Sequence, residues 1–432
     1  MNINTNADRL SIATYKEYLE PLKRIRKKQS KGMILYFVIC VLIGAGIGAG
    51  AASLGIRAEI FLDSIKPFYL PEALDFLYFI FFLGYYLITM VLHTVIHEAG
   101  HLVFGLLSGY RFLSFRVFSF TIVKNGGKLA VRKLKVLGTM GQCLMSPPQW
   151  QEDQPYPYVL FNLGGGFLNI ISSILMIPLL FVHSPLWAWI AGMFIFTGVI
   201  FAISNLVPMT FGVPNDGKNC LDCLKSRSAQ HAFYLQLKIN ADMSDGAELT
   251  SFPVEIFQVR TPEGKKISAL NAALYMLEYY WYLANGRKAE AQTVLASLEQ
   301  KKGRMITAYI NSIDLESLYF LVLQKAPIEQ IAAYYTVLRP VFLHNTDLSV
   351  MRVKYAYYLM LNAEEREAVE RLALSRKGKL PKKLPKQKKP VTAEKIYEDA
   401  GQIAKKHPVA GEARMHMRLV QEIKEAYSNE CL

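Results

Sequence analysis

Residues Leu74–Ser108 read LDFLYFIFFLGYYLITMVLHTVIHEAGHLVFGLLS, and this stretch decides what kind of chain it is. From Phe76 to Ile96 it holds no Lys, Arg, Asp or Glu. A helical crossing of a bilayer needs roughly 20 apolar residues, so this run supplies one. Working outward, Gly32–Ile56 is a second charge-free run, and Gln154–Asn215 is a third that holds two crossings, broken at His183-Ser184-Pro185. Across all 432 residues, 52% are hydrophobic and 19% charged, below the charged share of an ordinary soluble domain. A wholly soluble enzyme and a disordered chain are both excluded.

The remainder arranges itself around those runs. Residues 1–32 form a basic amino-terminal segment, with eight basic and three acidic residues. A transmembrane domain follows over 33–227, with spans at about 33–56, 74–107, 158–182 and 186–207. Within it, 111–145 is rich in β-formers around the turn signal Asn125-Gly126-Gly127 and reads as a short interfacial β-hairpin or small sheet. After Asp216 the chain becomes charged and helix-patterned, and 228–432 reads as a helical domain interrupted by the Lys/Pro linker 376–390. Asn285–Ala291 resembles Asn362–Ala368 and Gln324–Pro327 falls midway, a spacing of about 38 residues that suits a tetratricopeptide-like stack of helix pairs. The fold expected is mainly α and polytopic, with about four transmembrane helices.

Charge sets the expected orientation. The amino-terminal segment, Ser108–Tyr156 and Arg376–Pro390 are all strongly basic, whereas Arg57–Glu72 carries only Arg57 and Lys66 as basic residues. The positive-inside rule then places both termini in the cytoplasm and the protein in the cell membrane. The net charge of +14 carries no aromatic-interleaved or helix-turn-helix pattern, so nucleic acid is not an expected partner. Lipids are, and the Lys-rich linker suits a solvated tether. Cys220-x-x-Cys223 lacks a second pair and reads as two small residues on one helix face.

His97-Glu98-Ala99-Gly100-His101 is the strongest chemical signal. Positions i and i+4 share a helix face, so both imidazoles can point at one metal ion. Glu98 is then placed to take a proton from an attacking water. Two histidines and a glutamate beside an apolar span are costly unless they pair or bind something. A zinc hydrolase needs a third protein ligand, and Asp216 is the conspicuous candidate. It is the first charged residue after the 62 uncharged residues 154–215, and Gly217 behind it permits a tight turn. His93, one turn before His97, reads as a satisfied interhelical histidine.

Over Leu74 to roughly Asn219 the chain resembles the site-2 protease family of intramembrane zinc metalloproteases. That family places H-E-x-x-H on one span, a G-P-x-x-N-like element on a later one, and N-x-x-P with D-G at the end of another. Here these correspond to His97–His101, Gly164–Asn169, and Asn205-x-x-Pro208 with Asp216-Gly217. Gly166 stands where the family has Pro, Asn215 where Leu commonly precedes Asp-Gly, and Pro208 to Asp216 is longer than the compact motif. The resemblance implies Zn2+ bound by His97, His101 and Asp216, with Glu98 as general base and acid. It implies that Asn169 and Asn205 hold an unwound substrate backbone. The activity implied is zinc-dependent intramembrane endopeptidase cleavage of membrane proteins or small peptide precursors near the cytoplasmic side, the helical domain being free to bind a cytoplasmic protein partner.

Two other readings stand beside it. One is a non-proteolytic scaffold with a vestigial metal site, whose helical domain recruits partners. The other is a different H-E-x-x-H membrane protease whose third ligand is Glu248, Glu255, Glu263 or Glu278.

Overall fold

A computed structural model describes residues 10–27, 76–125, 128–133, 140–261, 267–375, 379–381, 384, 391–407 and 409–430. The expected span at 33–56 and most of the linker 376–390 lie outside the described residues. In chain order the helices begin with α1 (12–27), α2 (Phe76–Leu107), α3 (Tyr158–Met176), α4 (Pro185–Leu206), α5 (Asp216–Lys225) and α6 (Arg227–Ser244). Two compact units result. One comprises Lys31–Val131 with Gly138–Leu237, the other Met1–Ser30 with Arg132–Leu137 and Lys238–Leu432. These units divide at Leu237/Lys238, and α1 groups with the carboxy-terminal helices.

Among the described residues three helices, all in the first unit, are long and apolar enough to cross a membrane: Phe76–Leu107, Tyr158–Phe181 and Leu186–Leu206. Their outward residues, such as Phe79 on α2, Leu175 on α3 and Ile203 on α4, are exposed and apolar. Such a surface suits acyl chains rather than water. Inward, α2 and α3 pack closely through glycine. A Cβ on Gly100 would overlap the Gly164 carbonyl oxygen, and one on Gly165 would fall 2.5 Å from His97 Cε1. Small residues are what allow two spans to approach backbone to backbone.

The region expected to be a hairpin or small sheet is a sheet of four strands, β1 (Arg111–Val117), β2 (Phe120–Asn125), β3 (Lys128–Lys133) and β4 (Gly141–Ser146), in the order β3-β2-β1-β4. β1 pairs antiparallel with β2 and with β4, Phe115 standing between Ile122 and Cys143. β4 falls inside the expected β region 111–145, but Gly141–Ser146 holds no β-branched or aromatic residue, so its own sequence does not mark it as a separate strand. It is held by packing: Met145 is wholly buried, and its sulfur lies where a Cβ on Gly105 of α2 would sit.

The second unit continues with α7 (Ala269–Ala284), α8 (Lys288–Lys301), α9 (Thr307–Leu323), α10 (Ile328–His344), α11 (Leu348–Met360), α12 (Ala363–Ala373), α13 (Ala393–Ala404) and α14 (Ala410–Glu430). Turn chemistry sets the breaks. Gly286, at φ +71°, ends the α7 turn in a left-handed conformation. Asn362 and Glu365 close a reciprocal capping box at the start of α12. α1 docks on this unit. Tyr15, Leu19 and Leu22 are buried on one face, Tyr15 Oη lies 2.9 Å from Thr336 Oγ1, and Arg26 pairs with Asp314.

At the centre of the second unit, Glu316 on α9 is fully buried with Arg352 of α11 against it. Tyr279 and Tyr280 of α7 donate to its two carboxylate oxygens at 2.7 and 2.8 Å. Burial, with the Glu316 charge adding to it, holds the Tyr279 hydroxyl well above the ordinary phenol range, so it stays a donor. Removing one member of a buried ion pair strands the other in low dielectric. Glu316→Ala is therefore expected to destabilise this unit by about 3–5 kcal/mol, read by chemical denaturation under circular dichroism, whereas an exposed change such as Lys395→Ala should leave the midpoint unmoved.

Candidate metal centre

α2 carries His97, Glu98 and His101 on the part of its surface that faces the other spans, all three buried. Asp216 arrives from a different element as the first residue of α5. His97 Nε2 lies 3.1 Å from Asp216 Oδ2, His101 Nε2 lies 3.3 Å from the same atom, and the two Nε2 atoms are 3.1 Å apart. Among the described residues this is the only group of three or more His, Cys, Asp or Glu side chains that could hold a metal ion.

The partners of the other ring nitrogens fix where the protons are. His101 Nδ1 is 2.7 Å from the Phe161 carbonyl oxygen, which can only accept, so Nδ1 carries the proton. His97 Nδ1 is 3.1 Å from Asn169 Oδ1. The Asn169 amide cannot be the other way round, because its nitrogen donates to the His93 carbonyl oxygen at 3.1 Å. His97 Nδ1 is therefore also protonated. In the neutral rings both Nε2 atoms are bare lone pairs, aimed at each other and at a carboxylate oxygen. Three acceptors with no proton among them repel, and either a proton on one of the rings, given to the Asp216 carboxylate, or a cation between them relieves this.

The triangle they form fits such an ion. Metal–nitrogen and metal–oxygen bonds of about 2.05 Å in a tetrahedral site put neighbouring donor atoms about 3.3 Å apart. The observed edges of 3.1, 3.1 and 3.3 Å match one face of that tetrahedron. Burial by itself would raise the Asp216 carboxyl, but protonated His101 and His97, charged and donating to it, outweigh this and hold it below the ordinary carboxylate range. Asp216 is thus the anion of the group.

Asp216 is seated by Asn215, which sequence reading took only as a departure from a motif. Asn215 Oδ1 accepts from Lys218 N, capping α5, and from Met209 N, both at 2.9 Å. Its Nδ2 donates to the carbonyl oxygens of Ser204 and Val207 at the end of α4. The residues that lengthen the Pro208–Asp216 interval fold into a two-stranded hairpin, Thr210–Phe211 against Val213–Pro214, turning at Gly212 with φ +72°. Gly217 serves close approach rather than the expected turn: it lies inside α5, and a Cβ there would overlap Leu206 O. An asparagine just before a charged helix start is a capping signal, and it was legible on that ground.

The remaining candidates sort by position. Glu98 lies within electrostatic range of His101, His97, Asp216 and Arg116, and Gly141 of β4 packs against its carboxylate, where no Cβ would fit. Arg116, buried and not anticipated, donates to the Gly141 carbonyl at 3.2 Å. Asn169 is wholly buried, its amide taken up by His93 and His97 rather than open to a substrate. Asn205 is half-buried and donates to Phe201 O within its own helix at 2.9 Å. Of the alternative third ligands, Glu278 is held by Arg260 and Glu248 faces Arg414 and Arg418, while Glu263 is outside the described residues. Cys220 and Cys223 are free thiols on α5.

The geometry sets a measurable expectation. Purified protein should carry about one divalent ion per chain, lost in His97→Ala and Asp216→Ala and retained in Glu98→Gln by elemental analysis. Asn215→Ala, which removes no ligand, should still weaken retention because Asp216 loses its seat. Full retention in Asp216→Ala would remove it from the ligand set. No family model, curated protein or solved structure matches the chain, so the centre is defined by its own atoms.

Proposed function

We propose that the protein is a zinc-dependent endopeptidase acting at the membrane, of the site-2 protease type. The observation that carries this is the convergence of a carboxylate on two imidazole nitrogens, with Glu98 beside them, that stand on a helix long and apolar enough to span a bilayer. Zinc suits two nitrogens and one oxygen in tetrahedral array, and when bound supplies a Lewis acid for peptide hydrolysis. Glu98 takes the proton of the attacking water and returns it to the leaving amine. Arg116 is a buried cation within electrostatic range of Glu98. A membrane substrate in helical form hides its carbonyls, so it must present an extended backbone. β4 is the edge strand of the sheet and packs along α2 at Gly141, which suits it to pair with such a segment as an added strand.

The substrate class is membrane proteins or small membrane-associated peptide precursors. The helical unit is read as a stack of helix pairs, the pairs starting at Ala269, Thr307 and Leu348, and such stacks give concave surfaces for protein tails. Four crossings are favoured by the docking of α1 on that same unit. Chain that leaves one side of a membrane after α1 and returns to it for α7 must cross an even number of times. Three apolar helices are described, and Gly32–Ile56 is the charge-free run available for the fourth. With the basic stretches inside, both termini are cytoplasmic.

Hydrolysis of fluorescein-labelled unfolded casein by detergent-purified, zinc-loaded protein tests the activity. Glu98→Gln should lower kcat/KM by about 10²–10⁴-fold while keeping its zinc, and undiminished cleavage in that variant would remove Glu98 from its role. For topology, cysteines placed at Lys16 and Lys325 should both resist an impermeant thiol reagent in intact cells, and one at Asp63 should react. Labelling of Lys16→Cys without Lys325→Cys would defeat the even count of crossings.

A further inference from the structure

We propose that Asn169 and His93 form a positioning relay that fixes the proton and ring plane of His97, so that its Nε2 lone pair faces the bound ion. This rests on the metal reading of the site given above.

The relay runs through three helices without an ambiguous link. His93 Nε2 is 2.9 Å from the Phe194 carbonyl oxygen on α4, so that nitrogen carries the His93 proton. His93 Nδ1 is then a lone pair, and it accepts from Asn169 Nδ2 of α3 at 2.9 Å. The same Nδ2 donates its second proton to His93 O at 3.1 Å. Asn169 Oδ1 is left to accept from His97 Nδ1 at 3.1 Å. Flipping the amide would set two carbonyl oxygens against each other and a proton donor against His97 Nδ1–H. One arrangement satisfies every atom, and in the neutral ring it leaves His97 Nε2 bare.

The surroundings hold the relay in place and keep it dry. His93 and Asn169 are both wholly buried. Ser173 and Ser172 donate to the Asn169 carbonyl at 2.8 and 3.0 Å. The Phe194 ring packs on the His93 ring with centroids 4.2 Å apart. Gly198 of α4 lies flush over the pair, since a Cβ there would fall 2.5 Å from His93 Cε1. A buried polar chain of this kind is costly unless fully satisfied, and this one ends on the ring nitrogen opposite the ligating one. Without the Asn169 oxygen, His97 is free to carry its proton on Nε2, in the place the ion would take. Asn169 is thereby a positioning residue and not a contact for substrate.

Cobalt(II) is the probe, since its visible ligand-field bands report the donor set directly. Metal-stripped protein in detergent is titrated with cobalt(II) against a chelator. Asn169→Leu, close in volume but without an acceptor, should bind about 10- to 100-fold more weakly and with altered bands. Asn169→Asp keeps an oxygen acceptor for His97 Nδ1–H and should bind at least about tenfold more tightly than the leucine variant. His93→Phe keeps a ring against Phe194 and cuts the relay one link back. It should shift the bands with a smaller loss, and it decides the matter if Asn169→Leu fails to fold. Wild-type affinity and bands in Asn169→Leu or His93→Phe, with only KM for casein raised, would make Asn169 a substrate contact and overturn the relay. Failure of the wild-type protein to bind cobalt(II), or undiminished binding by Asp216→Ala, would instead sink the metal reading beneath it.

Discussion

The approach of α2 to α3 at Gly100 and Gly164 is the contact on which the rest of the centre depends. With no Cβ on either residue the two backbones come within reach of each other, and a methyl group on Gly100 would run into the Gly164 carbonyl and the Gly165 Cα. Backbone cannot swing aside as a side chain can. At that separation the Phe161 carbonyl reaches His101 and the Asn169 amide reaches His97, so both imidazoles are oriented by the same helix. Gly165 adds the space that the His97 ring itself occupies. Spaced apart by even one methyl group, the histidines would lose the acceptors that fix their protons.

The third donor comes from an independent framework. Asp216 owes its position to the end of α4, where Asn215 ties the last helical carbonyls to the start of α5 and a small hairpin takes up the extra residues. Two sets of constraints, one between spans and one at a span's end, converge on a triangle with edges near 3 Å. An ion there cross-links α2 to α5. Without an ion the carboxylate is met by protons on the imidazoles instead, so metal occupancy and the protonation of both rings are linked.

The helical unit is organised on other terms. Its centre is a charged pair, Glu316 with Arg352, made tolerable in the interior by two tyrosine donors and by the Tyr319 ring, whose centroid is 4.2 Å from the guanidinium carbon. Its edge accepts α1 through a short apolar face that ends in Arg26 on Asp314, with Lys302 on the far side of that carboxylate at 2.6 Å. Docking the chain's first described helix on its last domain gives the amino-terminal segment a structural task beyond carrying positive charge.

Much of this was legible in the sequence by itself. Long charge-free runs declare apolar helices whatever they pack against, because the free energy of placing such a helix depends on its composition. His97 and His101 share a face because helical pitch is local, and Asp216 stood out as the first charge after 62 residues without one. What only the tertiary structure decided were the assignments that depend on a partner. β4 is a strand because β1 and α2 flank it, and its own residues say little. Asn169 could as well have faced a substrate until α2 was seen to bring His93 and His97 to either end of its amide. Asn215 and Gly217 gained their meanings from the carbonyls at the end of α4. Sequence specifies what a residue can donate, accept or bury, and only the fold settles which neighbour takes up that capacity.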